Sequence, residues 1–362
     1  MIGGTLSRYF GLRFLSAATA IFAGLLVLVA LIDFIEMLRR TGDIKDVSAL
    51  YVAKISLYRV PFLTERIMPF AVLVAAMFSY LNLSRRLELV IARSAGVSAW
   101  QFVAPSMVIA LLVGTAATTL YNPLSAALRE QSARLESELF RGNRSFYELG
   151  TGFWVRQRSD DGQAIINGKT SRQQGLELAG VSVFRLDDTD SILDRIEAKT
   201  AILQTGHWRL EEVRIYTEGV APLDRDTFDL KTYLTPTQVR ESFATPDTVP
   251  FWQLDSYIRL AENSGLAAAG YRVQYYQLWA QPFYLASMVL LATAVSLRLF
   301  RFGGVQKMVL GGIAVGFLLY VLSKVTADLS KAGLLPPLAA AGLPPLIGGV
   351  TGLLTLLYQE DG

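Results

Sequence analysis

The chain has 362 residues, of which 52% are hydrophobic and 18% charged, with a mean hydropathy of +0.36. Ordinary soluble chains carry about 25% charged residues, so this balance excludes a simple soluble protein. A formal net charge of +3 is too small to argue for nucleic acid, and the absence of cysteine excludes disulfides, thiolate metal sites and cysteine nucleophiles.

Near the N-terminus, Arg8 and Arg13 stand beside Tyr9, Phe10 and Leu12, the pattern of an interfacial helix leading into a bilayer. The apolar run that follows is about 20 residues long, enough for a full span and longer than a signal-peptide core of about 7–15. Span one therefore runs to Leu38 and carries Asp33, Glu36, Arg39 and Arg40 at its outer end. Asp33, Glu36 and Arg40 fall on one helical face. A turn over 42–46 leads to span two, over 50–83, which holds Lys54, Arg59, Glu65 and Arg66, with Pro61 and Pro69 as expected kinks. Ionisable groups at these depths are costly against lipid, so they face a polar cavity or pair with one another. Arg59 and Arg66 are seven apart, on one face. Either they form a ring that receives an anionic substrate, or they pair within the helix and snorkel to the interface.

Residues 85–98, RRLELVIARSAGVS, interrupt the apolar runs. Arg85, Arg86 and Arg93 place this bridge in the cytoplasm by the positive-inside rule. Leu87, Val90, Ile91 and Ser94 recur at helical spacing, with Glu88 and Arg93 off that face, and Gly96 supplies a helix stop. The bridge is either an ordinary basic loop or a rigid helix that carries force from a soluble motor into the bilayer.

Span three covers about 102–120, and Asn122-Pro123 marks the end of its apolar stretch. The chain is then soluble in character to about 270. A helix over 125–140 comes first, then short alternating runs over 153–157, 164–167, 178–186, 192–203, 208–217 and 227–234. Asp160-Asp161-Gly162, Asn167-Gly168, Asp187-Asp188 and Thr205-Gly206 supply turns. This predicts an all-β domain, a sandwich or open barrel, followed by a helix over 251–264. Spans four, five and six are expected over about 275–297, 308–322 and 336–358. Arg298, Arg301 and Lys307 put one intervening loop in the cytoplasm, and Lys324, Asp328 and Lys331 fall in an outer loop. The division is thus 1–124, 125–270 and 271–362: two membrane halves of three spans around an inserted β domain.

No catalytic spacing is visible. GQAIINGKT, over 162–170, has five residues between its glycines where a phosphate-binding loop needs four, and no helix follows it. His207 is the only histidine, too few for a metal cluster or a catalytic triad. Gly312/Gly316 and Gly348/Gly352 have the spacing of close helix contacts. Phe317 and Tyr320 sit one turn apart in span five, facing either a lipid cavity or the bundle.

This layout resembles the LptF/LptG permeases of the bacterial lipopolysaccharide exporter. The resemblance rests on LSRYFGLRFL, LIDFIEMLRRTG, LELVIARSAG, WRLEEV, TYLTP, YQLWAQPF, GFLLYVL and LPP, and covers nearly the whole chain. TYLTP and GFLLYVL look more like the LptG branch. The resemblance implies an α+β membrane protein with six transmembrane helices (3+3) and an inserted periplasmic β-jellyroll-like domain, in the bacterial inner membrane. It implies an LptF-type permease, an LptB-type ATPase dimer and an LptC-type single-span protein as partners. ATP and magnesium would belong to the ATPase, with no catalytic residue, metal or cofactor in this chain. The bridge becomes a coupling helix, with Arg86, Glu88, Arg93 and Gly96 as its coupling positions. Arg39 and Arg40 match positions that meet lipopolysaccharide phosphates, and Phe317 and Tyr320 match lipid-cavity positions. Arg59 and Arg66 are added as compensating cations, because Asp33 and Phe62 stand where familiar members carry lysine. Two rivals predict other features. A secondary transporter calls for inverted repeats, and an envelope scaffold whose β domain binds partners has no need of an amphipathic bridge.

Overall fold

The structure, a computed structural model, describes residues 2–42, 47–139, 153–159, 162–172, 176–186, 191–217, 219–233, 246–263, 268–302 and 304–360. Most of the turn at 42–46, the turns at 160–161 and 187–188, residues 234–236 of TYLTP, the expected helix ends at 140 and 264, and tail residues 361–362 lie outside them. The chain divides into two units. One comprises Met1–Ala133, Pro250–Trp252 and Arg272–Gly362; the other comprises Arg134–Val249 and Gln253–Tyr271.

The first unit is helical. Helix α1 (Ile2–Thr41) leads to α2 (Ala49–Arg85), whose first turn is capped by Ser48 accepting the Tyr51 N–H at 3.2 Å. Helix α2 continues through Pro61 and Pro69. The bridge forms α3 (Glu88–Ser94) and leads to α4 (Ala99–Ala116). The end of the apolar stretch at Asn122-Pro123 does not end the helix. A π-helical turn (Ala117–Tyr121) carries the helix directly into α5 (Asn122–Leu139). Proline lacks the N–H that the carbonyl four residues earlier normally receives. Here that carbonyl, on Thr119, accepts the indole N–H of Trp252 at 3.1 Å. The proline is tolerated because a returning segment supplies the missing donor.

That return is α6 (Phe251–Asn263), followed by α7 (Ala269–Phe302), α8 (Gly304–Lys331) and α9 (Pro337–Glu360). Two expected loops are largely helical. Helix α7 runs past Arg298 and Arg301, and α8 includes Lys324 and Asp328, which lie 3.6 Å apart as an i,i+4 pair that favours helix. The end of α8 is set by Gly333 (φ 78°), with Gly333 N–H donating to Ser330 O and Leu334 N–H to Leu329 O. Pro337 occupies the first position of α9, where an N–H is not needed. Six helical stretches among the described residues have the length and apolarity to cross a membrane.

Close packing in this unit follows the small residues. Gly312 and Gly316 of α8 meet Met77 and Leu73 of α2, and Gly348 and Gly352 of α9 meet Ser287 and Leu290 of α7. Phe10, Phe14, Tyr80 and Phe102 are buried at the α3 end of the bundle, with Phe102 edge-on to both Phe10 and Tyr80.

The second unit holds a six-stranded antiparallel sheet in the order β1-β2-β3-β4-β5-β6. The strands are β1 (Phe153–Ser159), β2 (Gly162–Arg172), β3 (Glu177–Leu186), β4 (Ile192–Gln204), β5 (His207–Thr217) and β6 (Leu223–Lys231). The GQAIINGKT stretch is thus a strand, paired with β3 from Gln163↔Leu186 onward. Alternate residues build one apolar core that includes Ile166, Leu178, Val183, Ile196, Trp208 and Leu210. The sheet is rolled: Gln157 on β1 donates to the Lys231 carbonyl at the end of β6 at 3.1 Å. The chain is therefore an α+β membrane protein with an inserted sheet domain.

Gly114 tests a close backbone approach in the bundle. A methyl group there would sit 2.5 Å from Cα of Pro282 on α7, and neither partner is a flexible side chain. Gly114→Ala is expected to destabilise the chain by about 1–3 kcal/mol, read as a lower melting temperature in detergent.

Candidate functional site

Two groups of the sequence-predicted residues lie at opposite ends of α1 and α2. The first is the charged outer end. Asp33 is buried, 5% exposed, where it accepts Ser56 Oγ at 2.8 Å and pairs with Arg59 Nε at 3.1 Å. Arg59 also directs Nη1 toward the Met37 sulfur at 3.5 Å. Arg59 is therefore held between α1 and α2. Of the two readings available for such residues, a pair is observed, and it runs between helices rather than within one. Asp33 does not act with Glu36 and Arg40, although they share a face in sequence. Glu36 is bound instead by Arg39 (two hydrogen bonds of 2.9 Å) and Arg40 (2.8 Å), a cluster carrying one net positive charge. Arg66 is exposed, its guanidinium 4.4 Å from the Phe62 ring centroid, and Arg129 of α5 lies 5.5 Å from the same centroid. The Phe62 ring thus gathers two arginines.

Beside this cluster lies a polar knot that sequence reasoning did not find. Glu65 accepts Asn122 Nδ2 at 2.8 Å and a short hydrogen bond from Ser125 Oγ. The Asn122 carbonyl oxygen accepts the Phe251 N–H at 2.9 Å, at the start of α6. Thr64 and Tyr121 hydroxyls meet at 2.6 Å, and Tyr121 donates to the Pro61 carbonyl at 3.1 Å. The signal available in sequence was Asn122 itself, an amide at the edge of an apolar run.

On α8, Phe317 is 55% exposed and Tyr320 38% exposed, with the Tyr320 ring 5.5 Å from Phe70 of α2. They lie on α8, whereas the arginine groups lie on α1, α2 and α5. They stand with Leu310, Ile313 and Leu318 among the exposed apolar residues of α8; α1 also exposes Leu28, Leu31 and Ile32.

The second group is the bridge, whose spacing leaves open which face looks inward. Leu87 (59% exposed) and Ile91 (65%) point outward, whereas Leu89 and Ala92 are buried in the helical core. The cause is backbone conformation. Leu87 adopts φ 60° and stands outside the helix as its N-cap, so it does not continue the helical register expected from residue 85. Gly96 (φ 83°) closes the other end, with Gly96 N–H donating to Arg93 O and Val97 N–H to Ala92 O. Arg86 is exposed and Arg93 half-buried. Glu88 accepts a hydrogen bond from the Tyr9 hydroxyl at 2.9 Å, and Arg13 Nε donates to that hydroxyl at 3.1 Å. These partners from α1 were not anticipated, because a contact between residues 9 and 88 requires knowing how α1 packs.

The buried pair generates a direct test. Asp33→Ala leaves Arg59 charged without its partner and is expected to cost about 3–5 kcal/mol. Asp33→Leu combined with Arg59→Met is expected to recover most of that loss, and thermal unfolding in detergent compares the three proteins.

Residues 8–358 match the family described as lipopolysaccharide export system permease LptF/LptG. The chain is 26% identical over 353 residues to the lipopolysaccharide export system permease protein LptG of Escherichia coli strain K12, covering 94% of each chain. It is 25% identical over 354 residues to the protein of the same description from Haemophilus influenzae, covering 95% of each. With the match running through both helical halves and the inserted sheet, the chain belongs to the LptF/LptG family of lipopolysaccharide export permeases.

Proposed function

We propose that this chain is the permease subunit of an ATP-driven exporter that extracts lipopolysaccharide from the bacterial inner membrane. The carrying observation is an imbalance among the spans of a chain that matches the export permeases end to end. Within its most apolar stretch α1 is 11% buried and α8 22%, against 67% for α2 and α7. Lipid alone would cover spans left so bare, so it is the family match that turns these two surfaces toward a partner. Paired with a second, LptF-type permease, the α1 and α8 surfaces enclose an apolar cavity with Phe317 and Tyr320 in its wall.

Such a cavity suits the cargo. Each methylene withdrawn from the bilayer costs about 0.8 kcal/mol if it meets water, so a lipid with many acyl chains needs continuous apolar cover. Arg39, Arg40 and Arg66 at the outer end meet anionic groups on the lipid headgroup. Arg59 takes a lesser part, since Asp33 already opposes its charge. The sheet lies in the periplasm and passes the acyl chains to a β-jellyroll bridge, with an LptC-type single-span protein alongside.

The chain itself is not an enzyme on this reading. Energy comes from an LptB-type ATPase dimer, which binds ATP and magnesium and presses on α3 from the cytoplasm. The exposed Leu87 and Ile91 give that partner an apolar hold, and Arg86, Glu88, Arg93 and Gly96 frame it.

The reading is tested by purification of the tagged chain from its native envelope, followed by ATPase assay with and without lipopolysaccharide. Recovery of a second permease and an ATPase whose rate responds to the lipid supports it; isolation of the chain alone, under conditions that preserve other envelope complexes, counts against it. Ile91→Asp and Glu88→Lys are each expected to reduce the recovered ATPase about tenfold or more, with the sheet's β-structure signal in circular dichroism unchanged.

A further inference from the structure

The hydrogen bond between Tyr9 and Glu88 joins two parts that are otherwise separate in sequence. Helix α3 has a residue at positive φ on either side, Leu87 at 60° and Gly96 at 83°, so it is set off from α2 and α4 by backbone joints. Its inner face is fixed by Leu89 and Ala92. Its polar attachment to α1 is the Glu88 Oε2 contact to the Tyr9 hydroxyl, 2.9 Å long. That hydroxyl is aimed by Arg13 one turn further on, which donates Nε at 3.1 Å and lays its guanidinium 5.2 Å from the Tyr9 ring centroid. A cation donating to the tyrosine oxygen makes its O–H a stronger donor toward the carboxylate.

Helix α1 is placed to use such an attachment. Phe10 and Phe14 anchor its near end, and Asp33 and Met37 anchor its far end against α2. Between these anchors Val27, Leu28, Leu31 and Ile32 are exposed. A displacement of α3 therefore meets, at Tyr9, the end of a rod of 40 residues that packs along one side and is exposed along the other.

We propose that Tyr9, oriented by Arg13, is a positioning residue that transmits movement of α3 to α1 through Glu88. The proposal rests on the export reading above and adds the route: force reaches the cavity wall by α1. Glu88 then serves two neighbours, the motor outside and Tyr9 inside.

The experiment uses the full complex in proteoliposomes with lipopolysaccharide, and measures lipid released per ATP hydrolysed. Tyr9→Phe keeps the ring under Arg13 and beside Phe10 but removes the hydrogen bond; it is expected to lower this ratio about three- to tenfold. Glu88→Ala is expected to lower it at least as much, and the double variant no further than Glu88→Ala alone, as for two groups acting as one unit. Glu88→Gln keeps an acceptor for Tyr9 and is expected to retain more of the ratio than Glu88→Ala. A purely structural role for Tyr9 would lower complex yield and melting temperature with the ratio unchanged. Because the chain has no cysteine, spin labels at Leu12→Cys and Ser94→Cys report the α1–α3 distance. That distance is expected to hold through the nucleotide cycle with Tyr9 present and to widen with Tyr9→Phe. A wild-type ratio in Tyr9→Phe, or additive losses in the double variant, overturns the proposal. A wild-type complex that releases no lipid overturns the export reading and this inference with it.

Discussion

Where a chain leaves a bilayer to build a separate domain and then returns, its backbone polar groups must find partners without help from hydrocarbon. Here that requirement converges on Asn122 and its neighbours. One amide side chain donates to Glu65 on α2 and accepts the first N–H of α6, so the outgoing helix, the returning helix and the second span share a fastening. Trp252, one residue beyond Phe251, satisfies the carbonyl that Pro123 leaves open. Phe251 also stacks on Tyr275 with ring centroids 5.8 Å apart, which ties the same point to α7. The insertion of about 130 residues between spans three and four depends on this fastening, since without it a π-turn and a proline would leave unsatisfied groups at the membrane edge.

Charge is handled by the same economy of partners. Asp33 and Arg59 are costly singly but tolerable together, with Ser56 filling the second carboxylate oxygen. The consequence reaches function on the export reading. An aspartate where relatives are expected to carry lysine both removes one cation and occupies another, so the outer rim is less basic than a count of arginines suggests. Phe62 offsets part of this by holding Arg66 and Arg129 over its ring. On that reading, positive charge gathers toward α2 and α5 as well as at the tip of α1.

Much of this architecture was legible because long apolar runs and alternating strands are strong signals. The six spans, the six strands and the returning helix at Phe251 all follow from them. What escaped was set by context. Asn122-Pro123 reads as the end of the apolar stretch, and the helix continues there only because Trp252 comes from 129 residues further along the chain. Lys324 and Asp328 read as a loop because they are charged, yet i,i+4 pairing keeps them helical. In the bridge, helical spacing put Leu87 and Ile91 on one face correctly, but a positive φ at Leu87 and the packing of Leu89 decide that this face looks outward. The site residues were recognisable singly, by charge in an apolar setting. Their partners, Asp33 for Arg59 and Tyr9 for Glu88, were not, because pairing across helices depends on rotation and register that periodicity does not fix.

The contrast between α1 and α2 bears on how such a bundle moves. Helix α2 is gripped along its length: Met77 and Leu73 against the α8 glycines, Glu65 in the Asn122 knot, Arg59 on Asp33. Shifting it would break all of these at once, and close-packed interiors resist such displacement. Helix α1 packs along one side, with Phe22 edge-on to Tyr121, and leaves its other side exposed at Val27, Leu28, Leu31 and Ile32, so a tilt exchanges lipid or partner contacts there. On the export reading, a motor acting at α3 has a stiff route through α2 and a more compliant one through Tyr9 to α1. On that reading both routes reach apolar surface, α2 through the α8 glycines and Tyr320, and Tyr9 through α1, but only the α1 wall can shift without breaking the close glycine contacts of α8.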